Sequence, residues 1–175
     1  MVDTVIIGAG PAGYSAAMTC RMRALDCMVL SNGENSGWLH KAAQIDNYPG
    51  LPAVSGATLL ASFKAQAEAL GAQERVGLVR QIMPMGKTFM VLCGNDVIDT
   101  RSVILCMGAA RPQLLPGEEA LLGQGVSYCG TCDGMLYRGK NVAVLASAQS
   151  GVEEAAFLAG LAASVEFYPM KKLEM

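Results

Sequence analysis

This sequence has little charge. Of its 175 residues only 16% are charged, and the formal balance is −2 with no basic stripe. Nucleic acid binding, which rests on such a stripe, is therefore not expected. Aromatic residues make up 6%, with a single tryptophan, and there is one histidine, His40. A structural zinc ion wants four ligands, commonly two cysteine pairs or a cysteine pair with a histidine pair. One Cys-x-x-Cys and one histidine do not supply that set, so no metal is expected. No apolar run reaches the roughly 18 residues of a membrane helix, and no membrane association is expected. The N-terminus enters a strand-like stretch at once, without a basic leader or a cleavage-site pattern, which points to a cytoplasmic protein. In that reducing compartment a framework of disulfides is not expected. Cys20, Cys27, Cys93 and Cys106 each stand alone in an apolar segment and read as small buried hydrophobes.

What the sequence has in plenty is apolar residues, 52% of the total, and a mean hydropathy of +0.34. Parallel strands covered on both faces have that character, because they read as near-continuous apolar runs. Val2 to Ile7 reads as a buried strand. It leads directly into Gly8-Ala9-Gly10-Pro11-Ala12-Gly13, then a helical pattern over Tyr14 to Leu25 and a short strand over Cys27 to Leu30. The glycine pattern inside a βαβ unit is the fingerprint of a dinucleotide site. Gly8 permits the tight turn, Gly10 lets backbone approach a pyrophosphate, and Gly13 lets helix and strand pack closely. The helix N-terminus turns its N–H groups to the phosphates. At the end of the second strand, where an acid often holds a ribose, stand Ser31 and Asn32, which can also hydrogen-bond one.

Residues 32–52 read as a long loop, with Trp38 and Tyr48 arguing for order. Ser55 caps a helix over Gly56 to Leu70, ended by Gly71. Short strands are expected over Glu74 to Val79, Thr88 to Cys93, Val97 to Asp99 and Val103 to Cys106, as a meander turned at Gly86 and Gly94-Asn95. A proline-containing connector follows, and the domain boundary is placed in it, giving domains 1–112 and 113–175. A second βαβ unit opens with a strand over Asn141 to Leu145, a helix over Gly151 to Ala162 and a strand over Ser164 to Tyr168. The fold class is α/β: a Rossmann-like three-layer domain with a β-meander, then the start of a second Rossmann-like domain.

Between the two lies Tyr128-Cys129-Gly130-Thr131-Cys132-Asp133-Gly134. A Cys-x-x-Cys by itself can be half a zinc site, a redox pair or a coincidence. If a helix starts there, its N-terminus favours a thiolate, and Asp133 stands where a carboxyl group can pass protons as a disulfide opens and closes.

Taken in order, GAGPAG at 8–13, NYPG at 47–50, CMGAARP at 106–112, PGEE at 116–119, GVSYCGTCDG at 125–134 and VEEAAFLA at 152–159 resemble the low-molecular-weight thioredoxin reductases, a family of two-dinucleotide-fold flavoproteins. The resemblance covers essentially the whole chain, and SYCGTCDG is its most specific part. It implies an FAD domain interrupted by a second, NADPH-shaped domain that carries the Cys-x-x-Cys. It also implies electron flow from the flavin through the Cys129/Cys132 disulfide to a small protein such as thioredoxin, and a homodimer. By resemblance, Gly8, Gly10, Pro11, Ala12 and Gly13 form the FAD pyrophosphate loop, Asn47 lies close to the flavin, and Gly108 and Ala109 belong to the family's ATGA turn. Cys132 faces the flavin, Cys129 attacks the partner's disulfide, and Asp133 gives and takes the proton.

Four departures carry further expectations. Met107 stands in place of the turn's threonine, and Ser36-Gly37-Trp38 in place of Gly-Gly-Gln. The second glycine motif is Ala146-Ser147-Ala148-Gln149-Ser150-Gly151, and the family's His-Arg-Arg, which holds the NADPH 2′-phosphate, is Pro169-Met170-Lys171. A Cβ at 146 and 148 obstructs a pyrophosphate, and lysine lacks the bidentate fork of arginine. NADPH is therefore not expected as donor, and the pattern is most like the ferredoxin-dependent flavin thioredoxin reductases. The family's return to the FAD domain, with its Gly-Asp motif, is not found, so the chain is expected to be an N-terminal piece of a longer reductase. The alternative is a non-catalytic flavin-binding or redox-sensing remnant, or an inactive fragment; catalytic reduction of a thioredoxin separates these readings.

Overall fold

The computed structural model describes residues 1–33, 37–108 and 115–170. The chain divides into two compact units, Met1–Leu114 and Leu115–Met175. The boundary expected between 112 and 113 lies outside the described residues.

The first unit is built on a six-stranded mixed sheet. Its elements are β1 (Val2–Ile7), α1 (Pro11–Met22), β2 (Cys27–Ser31), α2 (Trp38–Lys41), α3 (Gly56–Ala69), β3 (Gln73–Val76), β4 (Val79–Met85), β5 (Thr88–Cys93) and β6 (Asp96–Leu105). The strand order is β3-β2-β1-β6-β5-β4. β3, β2, β1 and β6 run parallel to one another, with Ile6 opposite both Val29 and Ile104. β4 and β5 add an antiparallel hairpin on β6. Alternation along the central strands fills both faces. Ile6, Cys27 and Val29 pack with Tyr14, Ala17 and Cys20 of α1 and Ala67 of α3. Val5, Ile7 and Leu30 pack with Val91, Cys93 and Ile98 on the other side. This two-sided burial is why the inner positions of β1 and β2 are almost all apolar.

The expected helices and strands are present with shifted ends. α1 begins three residues earlier than the pattern from Tyr14, because Pro11 is pre-set for a first helical position. The segment 74–79, expected to be one strand of a meander, is two. β3 pairs parallel with β2 as a third strand of the dinucleotide fold, and β4 starts the hairpin. The break falls at Gly77, whose missing Cβ leaves room for the Cys93 sulfur; a Cβ would stand 2.6 Å from it. Conversely, 97–99 and 103–106, expected as two strands, form one ten-residue β6. Its first half pairs with β5 and its second with β1, an arrangement local propensity does not reveal. The loop after β2 contains α2, and an Ile45–Val54 bridge closes its second half.

The second unit contains a 3₁₀ turn (Glu118–Leu121), α4 (Gly130–Asp133), a second 3₁₀ turn (Gly134–Tyr137), β7 (Asn141–Ala146), α5 (Gln149–Ala159) and β8 (Ser164–Pro169). β7 and β8 are parallel, in register from Asn141–Ser164 to Ala146–Pro169. No helix among the described residues is long and apolar enough to cross a membrane.

Candidate functional site

In the first unit the sequence brings together the C-terminal ends of β1, β2 and β6. The Gly8 N–H donates to Leu30 O at 2.9 Å, and the Cys106 N–H donates to Ile7 O at 2.7 Å. Gly8 has φ +116, and a Cβ on it would lie 2.1 Å from Cys106 O. A Cβ on Gly13 would lie 1.8 Å from Gly8 O. Both glycines are thus demanded by the protein's own packing. Gly10 is different: it caps α1 in extended conformation, and a Cβ there meets nothing within 4 Å. The open space is in front of the helix, where Pro11 and Ala12 are also exposed. Gly108, at φ +73, likewise faces open space.

Ser31 ends β2 beside this loop. Its Oγ is buried without a hydrogen bond of normal geometry, yet close enough to Glu74 to help keep that carboxylate ionised. A phosphate cradle at a helix N-terminus, open only at Gly10, and a buried hydroxyl one strand away fit the pyrophosphate and ribose of a dinucleotide such as FAD. Asn32 follows Ser31 and is exposed. Asn47 is exposed in the loop closed by the Ile45–Val54 bridge. Ala109 lies outside the described residues.

Behind the glycine loop is a polar cluster that sequence reading missed. The Tyr14 hydroxyl of α1 donates to Glu74 Oε2 at 2.9 Å, and Lys64 Nζ of α3 lies 2.9 Å from the same oxygen. Burial pushes the Glu74 carboxyl up, but Lys64, Ser31 and Tyr14 outweigh it and hold it below the usual carboxylate range. Burial first, then the Glu74 carboxylate, push the Tyr14 hydroxyl well above the usual tyrosine range. The only sequence signal was a tyrosine and an acid set among core positions.

In the second unit Cys129 and Cys132 form a disulfide, with Cα atoms 5.2 Å apart. The local chain makes this pairing natural. Cys129 is the N-cap of the one-turn helix α4, so one helical turn brings Cys132 back over it. The Cys132 N–H donates to Cys129 Sγ at 3.2 Å. Cys132 is exposed and Cys129 half-buried.

Asp133 joins this site through Ser127. The Ser127 hydroxyl donates to Asp133 Oδ2 at 2.6 Å and accepts the Cys129 N–H at 3.1 Å. The chain leading into the disulfide is also held by Glu118. It is 8% exposed, accepts the Leu115 N–H at 2.6 Å, and takes the Tyr128 hydroxyl on its other oxygen. Burial and this carboxylate push the Tyr128 hydroxyl up to about 12. α4 lies on α5: the Gly130 N–H donates to Glu154 Oε1 at 2.8 Å, and Gly134 packs against Leu158, Leu161 and Phe157. Ser127 and Glu154 stood inside the recognised motifs, but only the fold reveals what they touch.

The turn after β7 departs from that after β1. Ala148 caps α5 at φ −137, and among the described residues the non-glycines with positive φ are Ala24 and Ala53. Ala146 therefore does not adopt the conformation of Gly8. Its Cβ occupies the space beside Gly151, where a second Cβ would lie 2.0 Å away. The turn after β7 therefore differs in backbone geometry from the glycine turn after β1. Lys171 lies outside the described residues.

Comparison with known proteins places these features in one lineage. Residues 2–173 match the family model for pyridine nucleotide-disulphide oxidoreductases. The thioredoxin reductase of Mycolicibacterium smegmatis is 39% identical over 165 residues, covering 93% of this chain and 53% of that protein. The crystal structure of thioredoxin reductase from Streptococcus pyogenes is similar with a TM-score of 0.89 at 34% identity, over 95% of this chain and 55% of that one. A ferredoxin-flavin thioredoxin reductase from Clostridium acetobutylicum is similar with a TM-score of 0.59 at 34% identity, over 98% of this chain and 60% of that one. The chain spans about half the length of the curated relatives it matches.

Proposed function

Because the chain belongs to the pyridine nucleotide-disulphide oxidoreductase family, we propose that it serves a flavin-dependent disulfide oxidoreductase that reduces a thioredoxin-like protein through Cys129 and Cys132. The observation that carries this reading is the Cys129–Cys132 disulfide on an exposed turn, with Asp133 tied to it by Ser127.

FAD, when bound, supplies the two electrons that open the disulfide. Gly8, Gly10, Pro11, Ala12 and Gly13 would receive its pyrophosphate, Ser31 and Asn32 its ribose, and Asn47, Gly108 and Ala109 its remaining contacts. Reduction of the disulfide consumes two electrons and one proton and leaves a thiol and a thiolate. Asp133 delivers a proton to the departing sulfur, and Ser127 holds its carboxyl group in place for that transfer. Cys129, as thiolate, then attacks the partner's disulfide. A mixed disulfide forms, and Cys132 resolves it, restoring the intramolecular bond.

The electron donor in this reading is a reduced ferredoxin rather than NADPH. The Cβ atoms at 146 and 148 support it, as does the similarity to a ferredoxin-flavin enzyme. A homodimer working in the cytoplasm completes the proposal. The test is the visible spectrum of the purified chain with FAD under anaerobic conditions, followed by addition of each donor. A flavin band bleached by reduced ferredoxin, with turnover of thioredoxin, is expected. Rapid bleaching by NADPH overturns the choice of donor. A band without turnover of any thioredoxin favours the redox-sensing alternative.

A further inference from the structure

The chemistry assigned above leaves one carboxylate at the disulfide without a role. Glu154 sits in the middle of α5, between Val152 and the apolar stretch that ends at Leu158. Its Oε1 accepts the N–H of Gly130 at 2.8 Å. That N–H belongs to the peptide joining Cys129 to Gly130, so the charge stands one peptide unit from the sulfur-bearing residue. The contact is close-set on both sides. A Cβ on Gly130 would lie 3.3 Å from Leu158 and 3.5 Å from the Glu154 carboxyl carbon, so the turn rests directly on α5.

We propose that Glu154 is a positioning residue that sets the disulfide–dithiol equilibrium of Cys129 and Cys132. It deepens the reductase reading and rests on it. The physics has two parts. The hydrogen bond holds the first peptide of the redox turn at a fixed place on α5. The negative charge acts only on the reduced pair, since a disulfide is neutral and a thiolate is not. A carboxylate bonded to the first peptide of the turn disfavours the thiolate and so shifts the equilibrium toward the disulfide. The turn thereby keeps a strong tendency to pass its electrons on.

The equilibrium to measure is protein disulfide plus two glutathione thiols going to protein dithiol plus glutathione disulfide, with atoms and electrons balanced. The full chain is used, at a pH where a thiolate is populated. Glu154→Gln keeps an acceptor for the Gly130 N–H and removes the charge. It is expected to raise the equilibrium constant toward dithiol by about threefold to tenfold and to lower the thiol pKa seen by ultraviolet thiolate absorbance. Glu154→Asp retains the charge and is expected to lie nearer the wild type. An unchanged equilibrium and an unchanged thiol pKa in Glu154→Gln overturn the proposal while the reductase reading stands. A wild-type disulfide that resists excess dithiothreitol in the folded protein overturns both.

Discussion

At the scale of single residues, the glycine loop separates two kinds of glycine. Gly13 is required by the fold, since a Cβ would lie 1.8 Å from Gly8 O. Gly13→Ala is expected to cost about 3 kcal/mol or more, read as the shift of a denaturation midpoint without cofactor. Gly10→Ala meets nothing within 4 Å. It is expected to leave that midpoint nearly unchanged while weakening FAD binding at least tenfold (about 1.4 kcal/mol), measured by flavin fluorescence quenching. Equal effects of both changes on the cofactor-free protein would remove Gly10 from the site. Cys129→Ser and Cys132→Ser are each expected to abolish disulfide turnover and to leave any flavin band in place. Turnover retained in either would take the pair out of the mechanism. The roles of Gly8 and Gly13 were legible in the sequence because their spacing encodes backbone geometry. Ser127 was not, because nothing in its immediate neighbours says that its hydroxyl bridges Asp133 and the Cys129 N–H.

At the scale of elements, α1 and α3 close with the same hydrogen bonds and different residues. After α1, Ala24 takes φ +58, its N–H bonding Arg21 O and the Leu25 N–H bonding Cys20 O. After α3, Gly71 takes φ +85 in the same pattern, with bonds to Glu68 O and Ala67 O. The left-handed conformation costs alanine about 1 kcal/mol that glycine does not incur. The greater freedom of glycine in the unfolded chain offsets part of this. Ala24→Gly is therefore expected to stabilise the first unit by about 0.5 kcal/mol, checked by urea unfolding. The same unit carries the cluster that ties α1 and α3 to β3. Glu74 has a folded-state pKa below its unfolded value, so its contribution is present above the unfolded pKa. That contribution is lost as pH falls through the depressed folded value. Glu74→Gln is expected to cost about 1–2 kcal/mol at neutral pH and to flatten the stability profile on the acid side. A parallel shift of the whole profile would show that its charge is not involved.

At the scale of the whole molecule, the six cysteines separate into two populations. Cys20, Cys27 and Cys93 are buried, and Cys106 is half-buried. Burial pushes the thiols of Cys27, Cys93 and Cys106 above the usual range, that of Cys27 to about 11. The native oxidised protein is expected to show no rapidly reacting thiol with an aromatic disulfide reagent at neutral pH. Mild reduction should add two, and unfolding of the reduced chain should reveal six. A fast thiol in the oxidised native protein would contradict the burial of this set.

The sequence by itself determined the α/β class, the glycine loop and the cysteine pair, because each rests on short-range rules. Alternation and apolar runs follow from strand geometry, the glycine spacing from a tight turn, and a Cys-x-x-Cys spans one helical turn whatever lies around it. The tertiary structure alone decided that β3 is parallel to β2, that β6 is one strand serving two neighbours, and that Tyr14, Lys64 and Glu74 meet. It also brought Glu154 of α5 to the Gly130 N–H, 24 residues away in sequence. These pairings depend on which surfaces remain to be buried once the local elements exist, and that is a property of the packed chain rather than of any stretch of it.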